Sequence, residues 1–462
     1  MPFRLFGPLG LLGLLGLLRL LRLLRLLRLG WLLRLLRLLR LGWRHGGQAT
    51  VGLVPVPRIA GSPRSVAVVG AGLAAAGFVS ALRAQGFDGR ITVLGAEGVA
   101  PYDRPPLSKE LLTRTEPVWL ADDIGADIFS ADDVRLAEPA VGLAFEPGGW
   151  VVRTAREEVA SDAVVLATGA RARLPAGWEA AATLHTAADA AALRASLLPG
   201  TRLVVVGAGW IGAEIAGVTA AAGVRVTVVE AAGSPLPVAL GPRVGALTEP
   251  WYAAAGVRLL TGVPVAGVST TTVQLADGAV LHADVVLAAV GARPASDWFD
   301  GLPLAADGSV PVDAGHQVLG GPPGLVAVGD VARRQSARHG WVPGGHWDGA
   351  LRGPAIAVRA LLGDAVEPDD PAPYVFSTQL GHELALHGQP GPDDDVVLRG
   401  DPGGAFGALW FRPGTDVLTA ALAVDSPRDV SAARRMFAGA ALPRLDRAAA
   451  ADAGRALRDA QR

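Results

Sequence analysis

The chain has 462 residues, half of them hydrophobic, with 60 Gly, 34 Pro and no Cys. That length suits two to three domains with sizeable cores. The missing cysteines exclude a disulfide framework, a thiolate zinc site, an iron–sulfur cluster of its own and a redox-active Cys pair, and no metal site is expected.

The formal net charge of -1 hides an asymmetry, because the first fifty residues hold nine Arg and no acid. The remainder carries 33 basic against 43 acidic side chains, a net of -10. Such an acidic body argues against general nucleic-acid binding. All 42 basic residues are Arg except Lys109. A codon bias that left one lysine by chance is the plain explanation; a chemical role for Lys109 is the other.

Residues 5–43 are a Leu-Leu-Gly and Leu-Leu-Arg tract, with Leu-Arg-Leu-Gly-Trp ending at Trp31 and again at Trp43. Arg recurs at 19, 22, 25, 28, 34, 37 and 40. Each Arg at a bilayer centre costs about 2.5–3.5 kcal/mol, so a simple membrane span is excluded. No small-x-small cleavage site follows the apolar start. The strict period reads as translated repetitive DNA upstream of a true start near Val51 or Val54. An interfacial basic helix or a targeting peptide are the alternatives. Residues 1–61 are therefore expected to be disordered or untranslated, and the protein to be cytoplasmic without membrane association.

The first folded unit begins with the run Ser65–Val69, the turn Gly70-Ala-Gly72-Leu-Ala-Ala75, a helical stretch through Arg83, and the run Ile91–Leu94. This is a strand–turn–helix–strand dinucleotide unit. Gly70 permits the turn, Gly72 lets a pyrophosphate approach, and the small Ala75 lets helix pack on strand. The helix N-terminus offers free N–H groups to the phosphates. The ribose acid is less clearly placed: Glu97 follows Gly95 and Ala96 and can swing to the hydroxyls or stay solvated.

A second unit runs from Arg202–Val206 through Gly207-Ala-Gly209-Trp-Ile-Gly212-Ala-Glu214 to Arg225–Glu230. All three glycines are present, and Glu230 closes the second strand where an acid meets the ribose 2′-OH. Glu230 would repel a 2′-phosphate, and no Arg follows it, so the nucleotide is expected to be NAD(H), not NADP(H). Two fingerprints imply two nucleotides in one chain, with the second unit folded back over the first for hydride transfer.

Other segments fit the same site. Pro101-Tyr-Asp-Arg104-Pro-Pro-Leu-Ser-Lys109 is a Pro-pinned stretch suited to hold a pyrophosphate and reach a flavin ring. Ala167-Thr168-Gly169 follows an apolar run, and Val290-Gly291-Ala-Arg-Pro294 follows another. Leu325–Val331 reads as a strand ending in Asp330, placed for ribityl hydroxyls, with His346-Trp347 beyond it.

By these motifs, residues 64–440 resemble the oxygenase-coupled NADH–ferredoxin reductases. That is the putidaredoxin, rubredoxin and biphenyl-dioxygenase reductase type of FAD enzyme, within the pyridine nucleotide-disulfide oxidoreductase superfamily. Tyr374–Gln379 and Val396–Asp401 look like that family's C-terminal domain. The resemblance implies an α/β fold with two Rossmann-like domains, for FAD and NAD, plus an α+β C-terminal domain. It implies that FAD accepts hydride from NADH and passes single electrons to a ferredoxin-type iron–sulfur protein.

It makes Gly70, Gly72, Arg104, Lys109, Asp330 and Trp347 FAD contacts, to which the reading of the segments adds Ala75, Glu97, Ala167, Thr168, Gly169 and Val331. Gly207, Gly209, Gly212, Glu214 and Glu230 become NAD contacts, and the segment after the second unit adds Gly291. It also pairs Lys109 with Glu214 at the reactive edge of the flavin, a cation that stabilises the anionic reduced ring and an acid that balances it. Two positions depart from the family pattern: Gly345 stands where an acid usually precedes His-Trp, and Thr378 stands in the family's Ser-Asp-Gln.

The expected layout is an FAD domain over 62–173 and 286–363, an inserted NAD domain over 174–285, and a C-terminal domain over 371–445 after a Pro/Asp-rich linker. Arg333, Arg334 and Arg338 form a basic run that can meet an acidic ferredoxin, or merely be solvated. Two other functions remain compatible with the sequence: reduction of a small acceptor such as a quinone or a radical, and redox sensing in the manner of the apoptosis-inducing flavoproteins.

Overall fold

The computed structural model describes residues 63–364 and 369–462. The Leu/Arg tract, and what was expected of it, lies outside them. The chain opens with β1 (Ser65–Val69), α1 (Leu73–Ala84) and β2 (Arg90–Leu94), as the periodicity predicts. A short helix, α2 (Pro106–Lys109), starts at the Pro pair, whose fixed φ suits the first turn of a helix. β3 (Asp133–Arg135) and β4 (Ala163–Leu166) follow, with a three-stranded antiparallel sheet over 140–161 between them.

The second unit is β5 (Arg202–Val206), α3 (Trp210–Ala221), β6 (Arg225–Val229), β7 (Arg258–Leu260) and β8 (Val285–Ala288). Its strands pair in parallel in the order β7-β6-β5-β8. The chain then returns with β9 (Leu325–Ala327), giving a parallel first sheet ordered β9-β4-β1-β2-β3. β1, β4 and β5 are buried along most of their length, which is why they read as apolar runs and not as alternations. α4 (Trp347–Leu361) packs against α1.

The two crossings between the units lie side by side as an antiparallel ribbon, Ala170–Ala172 against Ala292–Pro294. The inserted unit therefore begins just past Ala172. The sequence-based boundary at 285 falls at the first residue of β8, though, and the insert runs on to the ribbon.

The C-terminal domain is an antiparallel sheet of β10 (Tyr374–Gln379), β11 (His382–Gly388), β12 (Asp395–Gly400), β13 (Phe406–Phe411) and β14 (Leu418–Val424), ordered β10-β11-β14-β13-β12. α5 (Pro427–Phe437) covers it. Leu445, Ala450, Leu457 and Ala460 are buried in the same core, so this domain extends past residue 445. No helix among the described residues is long and apolar enough to cross a membrane.

Candidate functional site: two glycine cradles and a buried lysine–glutamate pair

Both glycine turns sit at the carboxyl ends of parallel strands, the position where α/β sheets bind ligands. Their construction is the same. A Cβ on Gly70, which has φ of +117°, would lie 2.1 Å from the Ala167 carbonyl oxygen, and one on Gly207 would lie 2.4 Å from that of Ala289. Gly212 is held by packing, since its Cβ would fall 2.1 Å from the Gly207 oxygen. Ala75, wholly buried, takes the matching place in the first unit. Gly72 and Gly209 differ from these, because a Cβ on either would meet nothing within 4 Å. Each is the N-cap of its helix without a side-chain cap, so the helix-end N–H groups face open space. Two such cradles fit two dinucleotide pyrophosphates.

The flanks are ordered by local bonds. Thr168 Oγ1 donates to the Ala295 oxygen at 2.7 Å, and Gly169 and Gly291 both have positive φ. The Glu230 carboxylate accepts from the backbone N–H of Ala208 and of Ala232, each at 2.8 Å. It is thus pinned beside the second cradle by the glycine loop itself.

Glu97 does not wait free in a loop. It pairs with Arg104 and accepts from the Tyr102 hydroxyl at 2.6 Å. Arg104 also donates to the His185 carbonyl. Burial is the main cause that pushes the Tyr102 hydroxyl up to about 12, so it stays a donor.

Asp330 lies on a 3-10 turn, Gly329–Val331, because β9 ends at Ala327 rather than continuing to the acid. It accepts from the Gly345 N–H at 3.1 Å. Val331 was expected to touch the cofactor, but its side chain is wholly buried in the core beside Val312 and Leu325. Only its backbone is left to face a ligand. Trp347 donates from Nε1 to Asp103 at 2.7 Å and stands edge-on to Phe376 at 6.0 Å. Burial raises the Asp103 carboxyl above its ordinary range, against the Trp347 bond.

At the centre, Lys109 at the end of α2 pairs with Glu214 on α3, as the resemblance implied. Glu214 is 4 % exposed and also accepts from Ser108 and Ser377, both at 2.5 Å. A buried carboxylate is tolerable only with such partners. Lys109 Nζ lies 5.4 Å from the centre of the Phe376 ring. Ser108, Ser377, Asp103 and Phe376 were not singled out from the sequence. The local signals were Ser108 next to the lone lysine and Ser377 at the start of the stretch that matches the family's Ser-Asp-Gln.

The basic run is a correction. Arg334 is buried and pairs with Asp370 at 2.6 Å, while Arg338 donates to the carbonyls of Asp370, Phe437 and Gly439. Arg333 lies over the Trp341 ring. Arg334 and Arg338 tie the C-terminal domain down, so they do not form an outward docking patch.

Residues 64–349 match the family model for pyridine nucleotide-disulphide oxidoreductases, and residues 374–461 match the reductase C-terminal model. The ferredoxin–NAD(+) reductase subunit of the benzene 1,2-dioxygenase system of Pseudomonas putida is 34% identical over 382 residues, 80% of this chain and 92% of that protein. The reductase component of the biphenyl dioxygenase system of Paraburkholderia xenovorans is also 34% identical, over 80% of this chain and 92% of its own. Among solved structures, the covalent putidaredoxin reductase–putidaredoxin complex matches with a TM-score of 0.73 and 29% identity, covering 81% of this chain and 93% of that one. With its paired cradles and its C-terminal sheet accounted for, the chain belongs to the pyridine nucleotide-disulphide oxidoreductase family.

Proposed function

We propose that this protein is an FAD-dependent oxidoreductase that takes hydride from NADH and delivers single electrons to a ferredoxin-type iron–sulfur protein serving an oxygenase in the cytoplasm. The observation that carries the reading is the Lys109–Glu214 pair, formed between the two dinucleotide units. The names of the relatives, reductases of dioxygenase systems, point the same way.

The residues divide the work. The helix N-termini behind Gly72 and Gly209 hold the pyrophosphates of FAD and NADH by backbone N–H groups. Glu230 meets the adenosine ribose and repels a 2′-phosphate. Asp330, Arg104 and Trp347 hold the flavin side. When bound, FAD supplies the ring that takes two electrons from NADH and releases them one at a time. Lys109 keeps a fixed cation near that ring, where negative charge develops, and Glu214 neutralises it between turnovers. The absence of cysteine leaves an external acceptor as the exit for electrons.

Anaerobic stopped-flow mixing of the FAD-loaded protein with NADH tests this. Flavin bleaching within catalytic time is expected, with NADPH at least tenfold slower. Lys109→Ala is expected to slow bleaching at least tenfold. Bleaching far slower than turnover, or an unaltered rate in the variant, overturns the reading.

A further inference from the structure

Glu214 is the point where three parts of the chain meet. It stands on α3 of the inserted unit, Ser108 and Lys109 reach it from α2, and Ser377 reaches it from β10 of the C-terminal domain. The donors are divided between its oxygens. Oε2 accepts from Ser108, while Oε1 is shared by Lys109 and Ser377.

Ser377 is itself held. Its hydroxyl accepts from Gln379 Nε2 at 3.1 Å. A hydroxyl has one proton to give and an ionised carboxylate can only accept, so the Ser377 proton points at Glu214. The Gln379 amide fills a lone pair on the other side and fixes that direction. Both residues are 1 % exposed, so water does not compete. They are two apart on one strand and share its inner face, while Thr378 between them turns outward to Glu383 at 2.9 Å. Two neutral polar side chains buried in series are dearer than apolar ones of the same size. Neither glycine cradle needs them.

We propose that Ser377, braced by Gln379, is a positioning residue for the charged pair. It sets the rotamer of Glu214 and, through the shared Oε1, the place of Lys109 Nζ. The C-terminal domain thereby holds part of the hydride site as well as its own sheet. This rests on the role proposed above for Lys109 and Glu214.

Lys109 is the only lysine in the chain, so amine acylation of the FAD-loaded protein reads one side chain besides the N-terminus. Trace labelling with acetic anhydride, scored on the Lys109 peptide by mass spectrometry, is expected to rise severalfold in Ser377→Ala. It is expected to return toward the native value in Ser377→Thr. The limiting rate of flavin reduction should fall about tenfold in Ser377→Ala, with the Kd for NADH within twofold. Gln379→Leu is expected to move both readouts in the same direction by a smaller factor, and it carries the comparison should Ser377→Ala not fold.

Glu214→Gln separates the two claims. If that variant alone leaves labelling and reduction unchanged, the role of the pair fails. If it moves both while Ser377→Ala and Gln379→Leu move neither, only the positioning proposal fails. The positioning proposal also fails if Ser377→Ala has its full effect in the Glu214→Gln background, since Ser377 would then act by some other route.

Discussion

The glycines of the two cradles look alike in sequence and do different physical jobs. Gly212 is required by packing, because an added methyl would lie 2.1 Å from a backbone oxygen. Gly209 has room on every side and a φ of -76°, so the fold itself does not require glycine there. Gly209→Ala should melt like the native protein yet lose at least tenfold in NADH affinity, because the new methyl stands where the pyrophosphate approaches. Gly212→Ala should lose stability outright, since neither helix nor strand can move aside without repacking. Thermal melting and NADH titration of the two variants check this; native affinity in Gly209→Ala would remove Gly209 from the site. At this scale the turns were legible because each is built from neighbours in sequence. The bonds of Ser108 and Ser377 to Glu214 span 106 and 163 positions, and no local pattern announces such a contact. The arginine run misled for the same reason. Its partner Asp370 stands 36 residues beyond Arg334, so a charge run on paper is a paired, buried cluster in space.

Within the elements, the apolar runs served well for β1, β2, β5 and β6, whose ends fall at the glycines and acids that bound them. The stretch before Asp330 did not, because Gly329 with φ of +72° turns the chain out of the strand first. The departure at Thr378 falls on the outward face of β10. Alternation sends 378 outward and leaves Ser377 and Gln379 inside. α4 shows how magnitudes decide a substitution. Replacing a mid-helix Gly by Ala gains about 1 kcal/mol of helix propensity. At Gly349, which lies exposed in the first turn of the helix and where a Cβ meets only His346 at 4.0 Å, a smaller gain of the same sign should survive. At Gly353 the Cβ would come within 2.9 Å of the His316 ring. That ring is buried and held by a 3.0 Å bond to the Ala327 oxygen, so overpacking of about 1–3 kcal/mol should win. Gly349→Ala should therefore raise the melting temperature and Gly353→Ala lower it. A rise in both would mean that His316 yields easily.

Across the described residues, burial pushes five histidines toward the neutral form: His185, His316, His339, His346 and His387. Burial is the main cause that lowers His316, His339 and His387 to about 4, against about 6.5 in an unfolded chain. With folded values depressed, the unfolded state binds protons first. Their contribution is therefore fully present above pH 6.5 and lost as pH falls from there through 4. By pH 5 the loss is about 2 kcal/mol for each, ahead of most carboxylates. Urea midpoints should drop steeply between pH 7 and pH 5, and His316→Gln should make that slope shallower. A flat profile would show that these rings are not held neutral. The two nucleotide units were readable because each repeats its own strand–turn–helix grammar, whereas the C-terminal sheet was implied only by the family resemblance. The extent of the insert and of the final domain was not, because both end in short segments that take their place only by packing.

The antiparallel ribbon of 170–172 and 292–294 gathers the entry and exit of the inserted unit at one spot. Such an insert has the form of a cassette, exchangeable between relatives by cutting two adjacent strands. Glu214 travels with the cassette, whereas Lys109, Ser108 and Ser377 stay with the host. A chimera of this kind inherits half of an ion pair from each parent. Compatibility at that single carboxylate, more than the match of the two cores, should decide which exchanges give an active protein.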